Sequence, residues 1–146
     1  MNDALRKEFN ELLDYEDKIL DDLVQKQVSL RAAVTEKKWN DLVRVTDEIN
    51  QLSDDFQEKD KRRDEIQFNL SKEEIKEFSE KLGKVRSKLL KCKIENRVLG
   101  DYVNIARNFI MEVMENGLKQ SRNKNYTRDG KIEVVQPHSV VLNQLF

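Results

Sequence analysis

Twelve residues on the last half of the chain step by threes and fours: Ile75, Phe78, Leu82, Val85, Leu89, Cys92, Asn96, Leu99, Val103, Ala106, Ile110 and Val113. A mean step of about 3.5 residues puts all of them on one stripe of a helix, and such a stripe needs partner helices to cover it. Asn96 is the single polar rung. A stripe of this length presents a surface to other helices rather than walls to a pocket, which favours binding over chemistry.

Charged residues make up 38 % of the 146 residues, with one Pro and four Gly. Long breaker-free stretches rich in Glu, Lys, Leu and Arg belong to long helices and coiled coils. The predicted fold class is all-α: an antiparallel up-down-up three-helix, coiled-coil-like bundle over residues 1–117, followed by a mostly irregular, flexible tail over 118–146. Helix 1 is expected over about 3–34, capped by Asn2 or Asp3. Its stripe reads Leu5, Phe9, Leu12, Glu16, Ile19, Leu23, Lys26, Leu30 and Ala33, with a second row at Leu13, Leu20, Val24 and Val28. Helix 2 is expected over about 36–69, through Leu42, Val45, Ile49, Leu52, Phe56, Lys59, Arg63, Ile66 and Leu70. Thr35 is its expected cap, with Asn40 as a competitor, and Val34 with Trp39 forms a hydrophobic staple. Ser71 and Glu74 form a capping box that opens helix 3, expected as one rod over 72–116 and closed by Gly117.

Helix lengths follow from a rise of 1.5 Å per residue. Helix 3 is the longest, so its end from near Ala106 should overhang helices 1 and 2. Ala106, Phe109, Ile110, Val113 and Met114 on that overhang are the expected binding residues, since a bare apolar patch calls for a cover, whether the tail, another subunit or a client protein. In a parallel pair of helices 1 and 3, an offset of about seventy residues sets Lys26 near Asn96 and Glu16 within about a turn of Lys59 and Arg86. Glu16, Lys26 and Asn96 are thus read as a structural polar seam that fixes register, with a half-exposed ion pair at Glu16.

Chemistry finds little support. No Cys/His spacing suits zinc, no Gly-rich loop cradles phosphate, and His138 has no carboxylate or nucleophile near it in sequence. Asp21-Asp22, Asp54-Asp55 and Glu73-Glu74 read as solvated helix faces, because adjacent helical residues do not face each other. Cys92 lies on the stripe and reads as a small core residue. The expectation is no enzyme, no metal and no cofactor. A net charge of −1 argues against a dedicated nucleic-acid binder, which needs a basic excess to release counterions. The cluster Lys59, Lys61, Arg62 and Arg63 is interleaved with Asp60 and Asp64 and reads as a charged helix face. Met1 to Phe9 lacks the apolar run of a signal peptide, and no stretch nears the ~18 apolar residues of a membrane span. A soluble, cytoplasmic protein without membrane insertion is expected. The tail holds Tyr126, the turn signal Asp129-Gly130, a β-prone run from Ile132 to Val135, Pro137 and an apolar end at Val140, Val141, Leu142, Leu145 and Phe146. Apolar residues at a chain end suggest docking on something.

Three local patterns resemble the FlgN-type flagellar export chaperones. Leu12-Leu13-x-x-Glu16-x-x-x-Leu20 is similar to that family's opening pair of leucines and glutamate. Glu95-Asn96-Arg97-x-Leu99 resembles its Asn-x-x-Asn-x-x-Leu element at the second Asn, with Lys93 in place of the first. Tyr126-Thr127-Arg128-Asp129-Gly130 is similar to its Tyr-Gly-x-Asp-Gly tail motif, with Thr127 in place of the first Gly. The resemblance implies a chaperone for hook-associated proteins of the FlgK/FlgL type, delivering them to the cytoplasmic domain of the export gate FlhA. It implies client capture by the C-terminal part, and gate docking through Tyr126, Asp129 and Gly130. The alternative read from the residues alone is a coiled-coil scaffold or assembly factor that acts through homodimerisation.

Overall fold

The computed structural model describes residues 3–121 and 139–145. Four helices account for nearly all of them: α1 (Asp3–Thr35), α2 (Trp39–Phe68), the single-turn α3 (Lys72–Lys76) and α4 (Ser79–Ser121). The protein is all-α, and the described residues contain no strand. None of these helices is long and apolar enough to cross a membrane. Tyr126, Asp129 and Gly130 lie outside the described residues, as do Asn2, Ile132 to Val135, Pro137, His138 and Phe146.

The helices form because their apolar residues recur at helical spacing and each stripe is covered by its neighbours. On α1 the buried positions are Phe9, Leu13, Glu16, Ile19, Leu20, Leu23, Gln27, Leu30 and Ala33. Val24 and Val28 point outward, exposed at 45 % and 66 %, so the second row expected there is only half used. On α2, Leu42, Val45, Ile49, Phe56 and Ile66 are buried. The α4 stripe contributes Leu82, Val85, Cys92, Leu99 and Val103.

Polar cross-links give the direction of each pair. Between α1 and α2, Arg62 meets Glu8, Tyr15 meets Asp55 and Lys26 meets Glu48, so numbers rise on one helix as they fall on the other. Between α1 and the third segment, Arg6 meets Glu77, Asp14 meets Lys81, Asp21 meets Lys88 and Arg31 meets Glu95, so both sets of numbers rise together.

The connections depart from expectation in three places. First, Thr35 does not cap α2. It is the last residue of α1, and its hydroxyl donates back to the Arg31 carbonyl at 2.9 Å. Lys37 is left-handed at φ 57°, its N–H reaches the Val34 carbonyl, and the Lys38 N–H reaches that of Ala33. Those two bonds make a Schellman closure, which consumes the residues that Thr35 would have needed to cap the next helix. Asn40 is already inside α2, whose N-cap is Lys38 without a side-chain cap bond.

Second, the expected rod over 72–116 is broken. The capping box is present, with the Glu74 N–H donating to Ser71 Oγ and the Ser71 N–H to Glu74 Oε1. After one turn, however, the N–H groups of Glu77 and Phe78 reach back only three residues, to Glu74 and Ile75. That tighter winding ends α3. It also sets Phe78 edge-on to Phe9, ring centroids 4.9 Å apart at 61°. Third, Gly117 does not close α4. No glycine among the described residues has positive φ, and the helix continues to Ser121. A helix interior tolerates glycine at a cost of about 1 kcal/mol.

Candidate docking surface

The stripe of α4 changes character along its length. Val103 is fully buried, and Ala106 packs half-buried against the core. One turn on, Ile110 and Met114 are half-covered, whereas Phe109 and Val113 stand 60 % and 50 % exposed. Ile105 and Met111 are exposed beside them. The cause is where the other helices end. Arg31, four residues before the end of α1, pairs with Glu95 and lies over the Tyr102 ring at 5.7 Å. The chain reverses over residues 36–38, so α1 and α2 end near the level of Phe109 and Ile110.

At this reversal the exposed strip meets a pocket of about 340 Å³. Ala33, Val34, Trp39, Tyr102, Ala106 and Phe109 line it, with Lys37 and Lys38 at the turn. Trp39 packs half-buried against the core and also forms part of this pocket. Its indole Nε1 is buried and finds no acceptor among the described residues. The result is an exposed apolar strip running into an apolar hollow that Trp39 helps to line. Of the five residues expected on this overhang, Phe109 and Val113 are exposed, Ile110 and Met114 are half-buried, and Ala106 lines the hollow.

The polar seam differs from the expected one in its partners. Glu16 is fully buried and meets Arg63 of α2, not Lys59 or Arg86. Lys59 turns instead to Asp55 and the Tyr15 ring, and Arg86 is exposed. The pair is not half-exposed either, since the Arg63 side chain is only 10 % exposed. A single Arg63 N–H, on Nε, is shared between the two Glu16 oxygens at 3.0 and 3.2 Å. The remaining guanidinium nitrogens serve Asp60 at 2.6 Å and Gln67 at 3.1 Å. Burial pushes the Glu16 carboxyl up to about 7, against the pull of Arg63. Burial also works against the Arg63 charge, but Glu16 and Asp60 outweigh it and hold the guanidinium above its ordinary value.

Lys26 does not reach Asn96. It lies on the flank of α1 and pairs with Glu48. Its neighbour Gln27 is the buried residue, donating from Nε2 to Asn96 Oδ1 at 2.8 Å and to the Cys92 carbonyl at 3.0 Å. Asn96 passes the relay on, donating from Nδ2 to the carbonyl of Asn143 in the C-terminal segment at 3.0 Å. Asn50 of α2 holds the same segment, donating to the Val141 carbonyl, so Gln27, Asn50 and Arg63 are seam residues that the sequence reading did not select. Arg63 stood in phase on the stripe of helix 2 and could have been found there; Asn50 carried no periodic signal.

Cys92 behaves as a core residue. Its thiol is buried, faces the Leu20 carbonyl at 3.8 Å, and burial pushes it up to about 11. Among the described residues no group of His, Cys, Asp and Glu side chains is arranged to hold a metal ion. The class that these observations define is an all-α helical bundle with an exposed apolar strip at one end. Compared with protein-family models, with curated proteins and with solved structures, the chain finds no match.

Proposed function

We propose that this protein is a non-enzymatic, cytoplasmic export chaperone of the FlgN type, built as an up-down-up three-helix coiled-coil-like bundle whose last helix overhangs the other two. It holds hook-associated proteins of the FlgK/FlgL type before assembly and hands them to the cytoplasmic domain of the export gate FlhA. The overhang carrying Phe109, Ile110, Val113 and Met114 receives the client, and the Trp39 pocket extends that surface. Tyr126, Asp129 and Gly130 dock on the gate.

The observation that carries this reading is the exposure of Phe109 and Val113 beside that hollow. Two large apolar side chains at the open end of a bundle, continuous with a concave apolar surface, are the kind of patch that a partner protein covers. Joint replacement of Phe109, Val113 and Met114 by Ser is expected to abolish co-purification of the hook-associated client while the far-UV CD spectrum stays helical. Undiminished client capture by that variant refutes the assignment. Sedimentation equilibrium supplies the second check. A tight homodimer that the same three replacements dissolve would replace this reading with the scaffold.

A further inference from the structure

A second surface already carries an occupant. Residues 139–145 lie against α2 and α4 with Val140, Leu142 and Leu145 buried, while Val141, Asn143 and Gln144 face outward. The helices hold the backbone of this segment through two asparagine amides. Asn50 of α2 donates from Nδ2 to the Val141 carbonyl and accepts the Asn143 N–H on Oδ1, both at 2.9 Å. Asn96 of α4 donates to the Asn143 carbonyl. The direction of the Asn96 amide is set from behind: Gln27 occupies its Oδ1, which leaves Nδ2 aimed into the groove and in need of an acceptor.

Three features distinguish this arrangement from ordinary core packing. The hydrogen bonds go to peptide groups, so they accept many sequences in the same pose. The ligand side is short: three apolar side chains offset the ordering of seven residues, a close balance that permits exchange. The groove is also incompletely matched: an open pocket lined by Val43, Arg44, Asp47 and Asn50 adjoins Val140, and Thr46 Oγ1 is buried without a hydrogen-bond partner among the described residues. At 1.5 Å per residue, Asn96 lies about 20 Å along α4 from Phe109, so this groove is separate from the exposed strip.

We propose that the α2–α4 groove is a receptor for a short apolar segment of a partner protein, and that residues 139–145 are its resident, displaceable ligand. The partner segment is apolar at its second, fourth and seventh positions, as in the resident, and offers its backbone to Asn50 and Asn96.

The test is a titration of the full-length, ¹⁵N-labelled chain with an unlabelled, end-blocked heptapeptide of the 139–145 sequence, followed by NMR. The Asn143 backbone amide signal is expected to move from its docked to a free position as the peptide replaces the resident. The full-length double variant Val140→Asp, Leu142→Asp removes the competitor, so it should bind the peptide at least tenfold more tightly than the unaltered chain. Adding Asn50→Ala should reverse that gain. An Asn143 signal unmoved at millimolar peptide overturns the proposal, and it does so even where the double variant fails to fold. Absence of peptide binding together with a tail-exchanged dimer on sedimentation assigns the groove to a second copy and overturns it equally.

Discussion

Replacing Glu16 by Gln is the most informative single perturbation of this bundle. The carboxyl is fully buried and is served by one N–H shared between its two oxygens. Its ordinary value of 4.5 is therefore raised to about 7 in the folded chain. A group whose folded value exceeds its unfolded one binds protons more tightly when folded, so its contribution to stability is present below pH 4.5 and lost as pH rises towards 7. The size of that rise corresponds to about 3 kcal/mol. Gln keeps the shape and a hydrogen-bond acceptor for Arg63 but has nothing to titrate. The variant should thus gain about 3 kcal/mol on the wild type between pH 4.5 and pH 8, a shift of roughly 1–3 M in urea midpoint. Urea unfolding followed by CD at 222 nm over that range reads the difference directly. Other acids cancel in the comparison, including Glu8, which the Arg62 hydrogen bonds hold below its ordinary value. Parallel pH profiles for the two proteins would refute the assignment of a proton to buried Glu16.

Two further perturbations test neighbouring parts of the same fold. Arg63→Met should cost about 3–5 kcal/mol at pH 8, because buried Glu16 must then stay charged without its partner or take up a proton, and a second replacement, Glu16→Leu, should recover most of that loss. Denaturant midpoints decide it, and a double variant no better than the single one contradicts the reading. Lys37→Gly should stabilise the chain by about 1 kcal/mol, since the left-handed backbone at φ 57° strains any residue with a Cβ. A lower melting temperature for that variant would show that the lysine side chain matters more than its backbone.

Much of the helical core was legible because period and phase are properties of the chain alone. The steps from Leu82 to Val103 name the buried face of α4 without reference to any partner, and Ser71 with Glu74 names a helix start by local hydrogen bonding. The parallel offset of about seventy residues came within one residue of the Gln27–Asn96 bond. It chose Lys26 because a ladder of threes and fours leaves two adjacent positions on the edge of the stripe, and burial cost then separates a charged lysine from a neutral amide. The Glu16 partner was missed for a related reason. Lys59, Arg63 and Arg86 all carry positive charge near the same level, and only the packed interior decides which head reaches the carboxylate.

The exposed strip and the groove divide in the same way. The sequence by itself determined that α4 bears apolar residues past Val103 and that apolar residues recur at 140, 142 and 145. Which helix ends leave Phe109 and Val113 bare, and which two asparagines grip the end of the chain, were decided by tertiary structure. Both depend on distances between residues far apart in sequence. Periodicity fixes the face a side chain shares with its own helix, whereas the neighbour it meets depends on how the turns at 36–38 and 69–78 aim the helices.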